Sequence, residues 1–392
     1  PRADAQSSGP TFRYLGEKAG LSSNSVTCIM EDRKGFVWIG TRNGLNRFDG
    51  YTFTRFLHSP SDAGSISAAS ISAMVIDKAR RLWVATSDSG VNLYDRNSGR
   101  FSRIRTTSPV GQALSDDRIR CMMEDSKGTI WIGTYNGLNA LDPATRRIRQ
   151  YLPNPADSTS LRNESISSID EDGNGIIWIG TRTGLSCFDR RTGSFSTPVI
   201  RGLSKAMQTE EYITTLCFDR NGTLWYGTGN GVVHATSGGS GALRTYPITS
   251  SRALGDLEEN EISAMYEDDR GTLWVGSYSG ALNRYDPESD TFVQYLHDPA
   301  NPLSLSGNHV TSIHASREGI VWVGTGEDGL NLLVEKPRLF TAYPLKRRED
   351  GRPSGSADTK AKISAFAVDH RGVTWVGTIG KGLATFDRAR GI

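Results

Sequence analysis

All eight tryptophans of this 392-residue chain recur at a nearly constant spacing. Successive intervals are 45, 48, 47, 47, 49, 48 and 53 residues, through Trp38, Trp83, Trp131, Trp178, Trp225, Trp274, Trp322 and Trp375. Asp stands six residues before Trp, Gly three before and Gly two after. Each of these holds in seven of the eight units, with Ser316, Arg80 and Ala85 as the respective exceptions. Such a period predicts a fold built by stacking copies of one unit.

Each unit contains four short segments with the composition of β-strands, separated by Gly, Asn and Asp turns. In the first unit the last two segments are 44–49 and 53–56, and the Trp-x-Gly-Thr run precedes them. Four strands in 40 to 50 residues is the size of one β-propeller blade. A single blade cannot bury both of its faces, so the sequence predicts an all-β propeller in which the blades close a ring.

The number of blades in the ring has two interpretations. The eighth repeat stops before its fourth strand, and an unassigned strand, 12–15, precedes the first repeat, so a closed eight-bladed ring is one alternative. The favoured alternative is a seven-bladed ring closed by 12–15, with the eighth repeat opening a second ring. Ser316 and the linker-like stretch 346–358 support it. The predicted domains are a tail and closing strand at 1–16, the seven-repeat propeller at 17–345, and a linker with a truncated eighth repeat at 346–392.

The repeated residues are predicted to serve structure. Trp fills the space between adjacent blades, and the Asp carboxylate accepts backbone N–H bonds in a turn where Gly adopts a positive φ. The Gly two residues after Trp is expected to leave room for the backbone of a neighbouring blade.

Composition excludes several classes of function. Lys plus Arg (45) nearly balances Asp plus Glu (43), for a net charge of +2, which argues against a nucleic-acid partner. No run of 18 apolar residues occurs, so no membrane contact is expected of this segment. The six histidines lack metal-site spacing, and the dinucleotide-like Gly227–Gly231 lies between two predicted strands. No cofactor is predicted.

One segment is similar to part of a calcium-binding loop. Asp170, Asp172 and Asn174 occupy positions one, three and five of that pattern, and Gly175 occupies position six. Position twelve is Thr181 instead of Glu. A weak calcium site and an ordinary blade turn are both compatible with the pattern.

Two segments of the first repeat, 20–26 (GLSSNSV) and 31–50 (EDRKGFVWIGTRNGLNRFDG), closely resemble the two-component regulator propeller repeat, and the resemblance extends through the chain. It implies a periplasmic sensor region of a membrane receptor, followed elsewhere by a second propeller, a β-sandwich and a transmembrane helix. The implied output is a cytoplasmic histidine kinase, or in other members a diguanylate cyclase. The implied ligand is an oligosaccharide and the implied assembly a homodimer. No kinase or cyclase signature occurs in these 392 residues.

The sequence disfavours two enzymatic functions known for propellers. The Asp-to-Gly spacing differs from that of sialidase boxes, and the Asp-to-Trp spacing is shorter than in quinone-dependent dehydrogenases. A protein-interaction scaffold remains an alternative, and a propeller hydrolase or lyase is the least favoured one. The chain is predicted to be non-catalytic.

Loops between the second and third strands vary while the frame around them repeats, which is how repeat proteins build a binding face. Their polar side chains can bond sugar hydroxyls, and tyrosine can stack on a pyranose ring. Solvated loop tips are the alternative for any single residue. The candidate ligand-binding residues are Arg42, Asn43, Asp88, Tyr135, Asn136, Arg182, Asn230, Tyr278, Glu327 and Asp328.

Overall fold

The computed structural model describes residues 10–202, 211–237, 242–248, 260–334, 362–369, 374–379 and 382–386. Within these ranges the chain is all-β apart from one 3-10 turn, Glu17–Ala19. Seven four-stranded antiparallel sheets form the blades of a ring. We call the first strand of each sequence repeat the inner strand of its blade. Inner strands of successive blades pack on one another. The predicted β-propeller is confirmed.

The strands are numbered in chain order, beginning with β1 (Thr11–Leu15). Blade one contains β2 (Val26–Glu31), β3 (Val37–Thr41), β4 (Gly44–Phe48) and β5 (Phe53–Phe56). Blade two contains β6 (Ile71–Ile76), β7 (Leu82–Thr86), β8 (Val91–Tyr94) and β9 (Phe101–Ile104). Blade three contains β10 (Ile119–Glu124), β11 (Ile130–Thr134), β12 (Gly137–Leu141) and β13 (Ile148–Tyr151).

Blade four contains β14 (Ile166–Glu171), β15 (Ile177–Thr181), β16 (Gly184–Asp189) and β17 (Ser194–Ser196). Blade five contains β18 (Ile213–Phe218), β19 (Thr223–Thr228), β20 (Val232–Ser237) and β21 (Leu243–Pro247). Blade six contains β22 (Ile262–Glu267), β23 (Leu273–Ser277), β24 (Leu282–Asp286) and β25 (Thr291–Tyr295). Blade seven contains β26 (Val310–Ala315), β27 (Val321–Thr325) and β28 (Leu330–Val334).

Strand β1 completes blade seven and closes the ring. It pairs antiparallel with β28, from Thr11 opposite Val334 to Leu15 opposite Leu330. On the other side of the closure, the Thr311 hydroxyl of blade seven donates to the Val26 carbonyl of blade one at 2.7 Å. The ring therefore has seven blades and is closed by the N-terminal strand, which confirms that part of the favoured interpretation and shows that the closed eight-bladed alternative is wrong.

The eighth repeat belongs to a separate compact unit, Lys336–Ile392. Its described residues form a three-stranded sheet of β29 (Lys362–Val368), β30 (Thr374–Ile379) and β31 (Gly382–Phe386). The predicted linker 346–358 lies outside the described residues. The predicted domain limits, and the assignment of this repeat to a second ring, stay predictions.

The second strand of each blade is fully buried, and its tryptophan lies between blades. The seven tryptophans of the ring are 0% to 6% exposed, whereas Trp375 of the second unit is 37% exposed. Trp38, for example, meets Tyr94 of blade two with ring centroids 5.5 Å apart. Large apolar contact of this kind is the main stabilising term for such a sheet stack.

The repeated Asp binds the tryptophan as well as the turn. Asp125 accepts the backbone N–H groups of Lys127 and Thr129 through one oxygen and the Trp131 indole N–H through the other, at 2.7 Å. The same indole bond occurs in blades one to six and in the eighth repeat. The predicted turn bonds are confirmed, and the indole bond is an additional role that the sequence did not predict.

The Gly two residues after Trp makes room for a side chain of the next blade instead of its backbone. A Cβ added at Gly133 would lie 2.5 Å from the Cys121 sulfur and 2.6 Å from Cγ2 of Ile166, the first inner-strand residue of blade four. The predicted backbone contact is thus corrected, because the branched side chain at this position reaches the neighbouring sheet first.

Candidate functional site at the mouth of the channel

The loops between second and third strands lie on the same face of the ring as the residue before each inner strand. The Arg42 N–H donates to the Ser25 carbonyl, and the Tyr278 N–H donates to the Glu261 carbonyl. The corresponding bond in blade three joins Tyr135 to Arg118 at 3.2 Å. We call this the upper face. The Asp-containing turns and the turns between third and fourth strands lie on the opposite, lower face.

All ten predicted ligand-binding residues are exposed on the upper face. The Arg42 and Glu327 charges both act on His309, and the Tyr278 ring lies 4.0 Å from the His309 ring. Tyr135 joins a second cluster, described below. Four further predicted residues are Asp88, Asn136, Arg182 and Asn230. Among the described residues, no hydrogen bond or ion pair joins their side chains to His309 or to Tyr135. Their role in ligand binding stays a prediction.

Each inner strand of the ring carries a β-bulge at its second residue, where the register with the neighbouring strand shifts. A bulge releases one side chain from the ladder and re-aims it. Six of the seven bulge residues have hydroxyl groups: Thr27, Ser72, Ser167, Thr214, Ser263 and Thr311. We call these six residues the hydroxyl belt.

Members of the hydroxyl belt bond adjacent blades together. The hydroxyls of Ser167, Thr214 and Ser263 donate to the carbonyl of the first inner-strand residue of the next blade. Such bonds join neighbouring inner strands directly. The belt is therefore a structural feature of the ring.

Blade three breaks the belt, because its bulge residue is Arg120. The Arg120 guanidinium donates to the Tyr212 hydroxyl of blade five at 2.6 Å and to the Ser165 hydroxyl of blade four at 3.2 Å. It also lies over the Tyr135 ring, 5.2 Å from the centroid, and Arg118 covers the same ring at 5.1 Å. Arg120 thus joins three blades at the upper mouth of the central channel.

A carboxylate completes the electrostatics of this cluster. Burial raises the pKa of Glu261 of blade six, and the Arg120 guanidinium acts in the opposite direction. Burial also lowers the pKa of His309, an effect to which Arg42 adds and which Glu327 and Asp328 oppose. The mouth of the channel therefore presents partly buried charges of both signs beside the exposed Tyr135 and Tyr278 rings.

We call Arg118, Arg120, Tyr135, Tyr212 and Glu261 the channel cluster. Of these five residues only Tyr135 is among the predicted ligand-binding residues, because the predicted residues all lie in the loops between second and third strands. The signal for Arg120 was present, since the other repeats of the ring have Ser or Thr at the corresponding position. Tyr212 and Glu261 carried no comparable signal, because the residue before the inner strand varies from blade to blade.

The two carboxylates of the predicted calcium site accept N–H groups. Asp170 accepts the Phe218 N–H of the next blade at 2.7 Å and the Glu171 N–H at 2.8 Å. Asp172 accepts two turn N–H groups and the Trp178 indole, as its counterparts do. Among the described residues, no group of three or more His, Cys, Asp or Glu is arranged to hold a metal ion. Calcium binding here stays an untested prediction.

Six segments of the chain match the sequence profile of the family described as two component regulator propeller: 20–43, 113–136, 160–183, 208–230, 256–279 and 304–327. The chain carries two-component regulator propeller repeats. Each matched segment ends in the loop after the second strand, on the upper face. Blade two, which contains the exceptions Arg80 and Ala85, lies outside the matched segments.

A curated relative supports the same family. Histidine kinase P4 of Formosa agariphila is 46% identical over 63 residues, which is 16% of this chain and 5% of that protein. The propeller repeats therefore occur in a histidine kinase much longer than the region that this chain matches.

Solved structures share the fold. The extracellular domain of a putative hybrid two component system from B. thetaiotaomicron has a TM-score of 0.69 at 23% identity, over 97% of this chain and 48% of that one. Virginiamycin B lyase from Staphylococcus aureus has a TM-score of 0.61 at 14% identity, over 83% of this chain and 99% of that one. At these identities the likeness shows the propeller architecture alone. The chain spans about half the length of the extracellular domain.

Within the part of the chain that the structure describes, no helix is long and apolar enough to cross a membrane.

Proposed function

We propose that this two-component regulator propeller is the non-catalytic, extracytoplasmic sensor domain of a membrane receptor, and that it binds an oligosaccharide at the upper mouth of its channel. The observation that carries the proposal is Arg120, which replaces a hydroxyl-belt residue and contacts both Tyr135, in the loop after β11, and Tyr212, directly before β18. The matching repeats in a histidine kinase support a kinase as the output. The extracellular domain with the same fold supports a periplasmic location.

The chemistry of the channel cluster suits a sugar with an acidic or polar substituent. Arg118 and Arg120 supply charged donors 5.1 Å and 5.2 Å from the centroid of the Tyr135 ring. A half-exposed tyrosine face provides the apolar platform on which a pyranose packs. Guanidinium forks favour carboxylates, with which they form two parallel bonds.

Signal transmission follows from the cross-ring contacts. Arg120 bonds residues of blades four and five, so a ligand that takes over these bonds changes how three blades are held together. A ligand shifts an equilibrium only by its differential affinity for the two states. The proposed receptor dimer and its second propeller would read that shift.

The test is calorimetric titration of the chain with oligosaccharides of different linkage and charge, in parallel with thermal-shift measurements. Arg120→Ser inserts the residue type of the belt and should therefore fold normally. We expect it to weaken a saccharide hit at least tenfold, while Arg149→Ser on the outer strand of the same blade leaves binding within twofold. Equal binding by parent and Arg120→Ser would refute this site. No saccharide binding by the parent chain would favour an interaction scaffold.

A further inference from the structure

A groove of about 760 Å³ opens on the lower face, where blades one, two and three meet. Its walls are the Asp-containing turns of blades one and two, the turn between the third and fourth strands of blade two, and the corresponding turn of blade three. This volume lies in the range of ligand sites in proteins. The groove is on the opposite face from the channel cluster and shares no residue with it.

Cationic side chains dominate the lining, which holds seven Lys or Arg residues and two Asp. Three of the arginines are neutralised by nearby carboxylates: Arg81 with Asp77 at 2.6 Å, Arg96 with Asp32 at 3.2 Å and Arg100 with Asp62 at 2.5 Å. The other four cations are Arg33, Lys34, Arg80 and Arg146. None of these four has an ion-pair partner among the described residues.

Asp95 forms no ion pair with these four cations in the described part of the chain; its oxygens accept the Asn97 N–H at 2.9 Å and the Ser98 hydroxyl at 2.6 Å. Its charge still offsets one cation, so with Asp32, Asp62 and Asp77 on the other arginines about three of the seven positive charges remain. The aromatic residues of the lining, Tyr94 and Phe101, are only 8% and 6% exposed. The groove therefore has positive charge to spare and no free aromatic face on which a neutral sugar would stack.

Two of these arginines occupy positions that favour glycine. Arg80 has a φ of 65°, and its counterparts in the turns of blades one and three are Gly35 at 83° and Gly128 at 85°. Such left-handed backbone is disfavoured for any residue with a Cβ atom.

Arg146 repeats the pattern in a different turn. Its φ is 59°, whereas its counterparts in blades two and four, Gly99 and Gly193, both have a φ of 70°. Only four residues other than glycine have positive φ in the described part of the chain, and two of them are arginines of this groove. Residues held against local preference cluster at functional sites.

We propose that this groove binds a small polyanion, a ligand with at least two phosphate or sulfate groups. Uncompensated cations from three blades converge on one cavity, and guanidinium groups match the oxygens of such anions with charge-assisted bonds. The site is independent of the proposed saccharide site, so either one can fail without the other.

The experiment is calorimetric titration of the 392-residue chain with inorganic triphosphate and, separately, with a fully sulfated disaccharide, at 20 mM and 150 mM salt. The test variant is Arg80→Gly with Arg146→Gly. It inserts the glycine found at the first position in Gly35 and Gly128 and at the second in Gly99 and Gly193, so its melting temperature should equal or exceed that of the parent. The control, Arg55→Ala with Arg191→Ala, removes the same charge from exposed positions outside the groove.

We expect the glycine variant to lose at least tenfold in affinity for the bound probe, and the control to stay within twofold of the parent. Binding should weaken with salt in the parent. A response to triphosphate alone assigns phosphate as the ligand group, and a response to the disaccharide alone assigns sulfate. The proposal is overturned if neither probe binds at 20 mM salt, or if both variants lose affinity equally. If the glycine variant melts lower than the parent, Arg33→Ser with Lys34→Ser replaces it under the same criteria.

Discussion

At the scale of single residues, blade seven has a defect that the other blades of the ring lack. Ser316 stands where the others have Asp, and the buried Trp322 indole N–H has no hydrogen-bond partner among the described residues. The Ser316 hydroxyl still accepts the Ile320 N–H at 3.1 Å, as one carboxylate oxygen does elsewhere. Compared with the Asp of blade three, Ser316 therefore lacks the oxygen that accepts the indole N–H and the bond from the N–H two residues further on.

We predict that Ser316→Asp stabilises the propeller by about 1 kcal/mol, because leaving a buried donor unsatisfied costs about 1–3 kcal/mol. Urea denaturation followed by tryptophan fluorescence measures this difference. The matched control is Asp125→Ser in blade three, which should destabilise by a similar amount. A lower midpoint for Ser316→Asp than for the parent would contradict the assigned role of the Asp–Trp bond.

Acid stability depends on another residue of blade seven, His314. Burial lowers its pKa to about 4, although Glu31 and Asp269 oppose this, and Tyr266 packs against its ring at 5.3 Å. A folded-state pKa below the unfolded value of about 6.5 means that protonation favours unfolding. The stability is complete above pH 6.5 and is lost as the pH falls toward 4, by up to roughly 3 kcal/mol.

His314→Met inserts the residue found at this position in blades one and three, and it should flatten the melting temperature between pH 6.5 and 4. Asp170 supplies a control of opposite sign, because burial raises its pKa to about 6. Its protonated form is favoured by folding, so it adds stability as the pH falls through 6. Asp170→Asn should consequently steepen the acid loss. A pH profile that neither variant changes would exclude both groups.

At the scale of strands, the packing between blades depends on a pair of residues facing each other on the first two strands. In blades one and three the pair is a Cys opposite a Gly, whereas blade two has Ala73 opposite Ala85. The Cys–Gly pairs place the side-chain volume on one strand, whereas the Ala–Ala pair divides it between both strands. A branched side chain of the next blade packs over each Cys–Gly pair. Blade two thus accommodates a Cβ atom in this register beside a small partner, so the size of the partner contributes to the need for glycine in blades one and three.

Gly133→Ala should destabilise blade three by about 1–3 kcal/mol, because the new Cβ meets the Cys121 sulfur and the Ile166 side chain. Adding Cys121→Ala recreates the blade-two pair and should recover at least half of the loss. A double-mutant cycle in urea measures the coupling. Strictly additive effects would show that the two side chains do not share this space.

The strands themselves were predictable, because the tryptophan register fixes which segment forms each second strand. The channel cluster was not. Arg120, Tyr212 and Glu261 belong to blades three, five and six and meet only across the ring, at distances that no local pattern encodes. Arg80 was visible as an exception to the glycine rule, but its positive φ and its partners in the groove required the structure.

At the scale of the whole molecule, the ring depends on a strand from the other end of the propeller sequence. Phe12 is 4% exposed and packs in one cluster with Trp274 and Leu333 of blades six and seven. Its N–H also donates to the Leu303 carbonyl at 2.9 Å. Without β1, strand β28 becomes an open edge, and open edges recruit other chains.

We predict that deletion of residues 1–16 lowers the melting temperature by several degrees and produces concentration-dependent association, measured by calorimetry and by light scattering. Deletion of residues 1–9 alone is the control, since it leaves β1 intact, and it should behave like the parent chain. A synthetic peptide of residues 10–16 should restore both properties by pairing with β28 in the register from Thr11 to Leu15. If the longer deletion stays monomeric and melts with the parent, the strand does not stabilise closure and the interface between blades seven and one suffices.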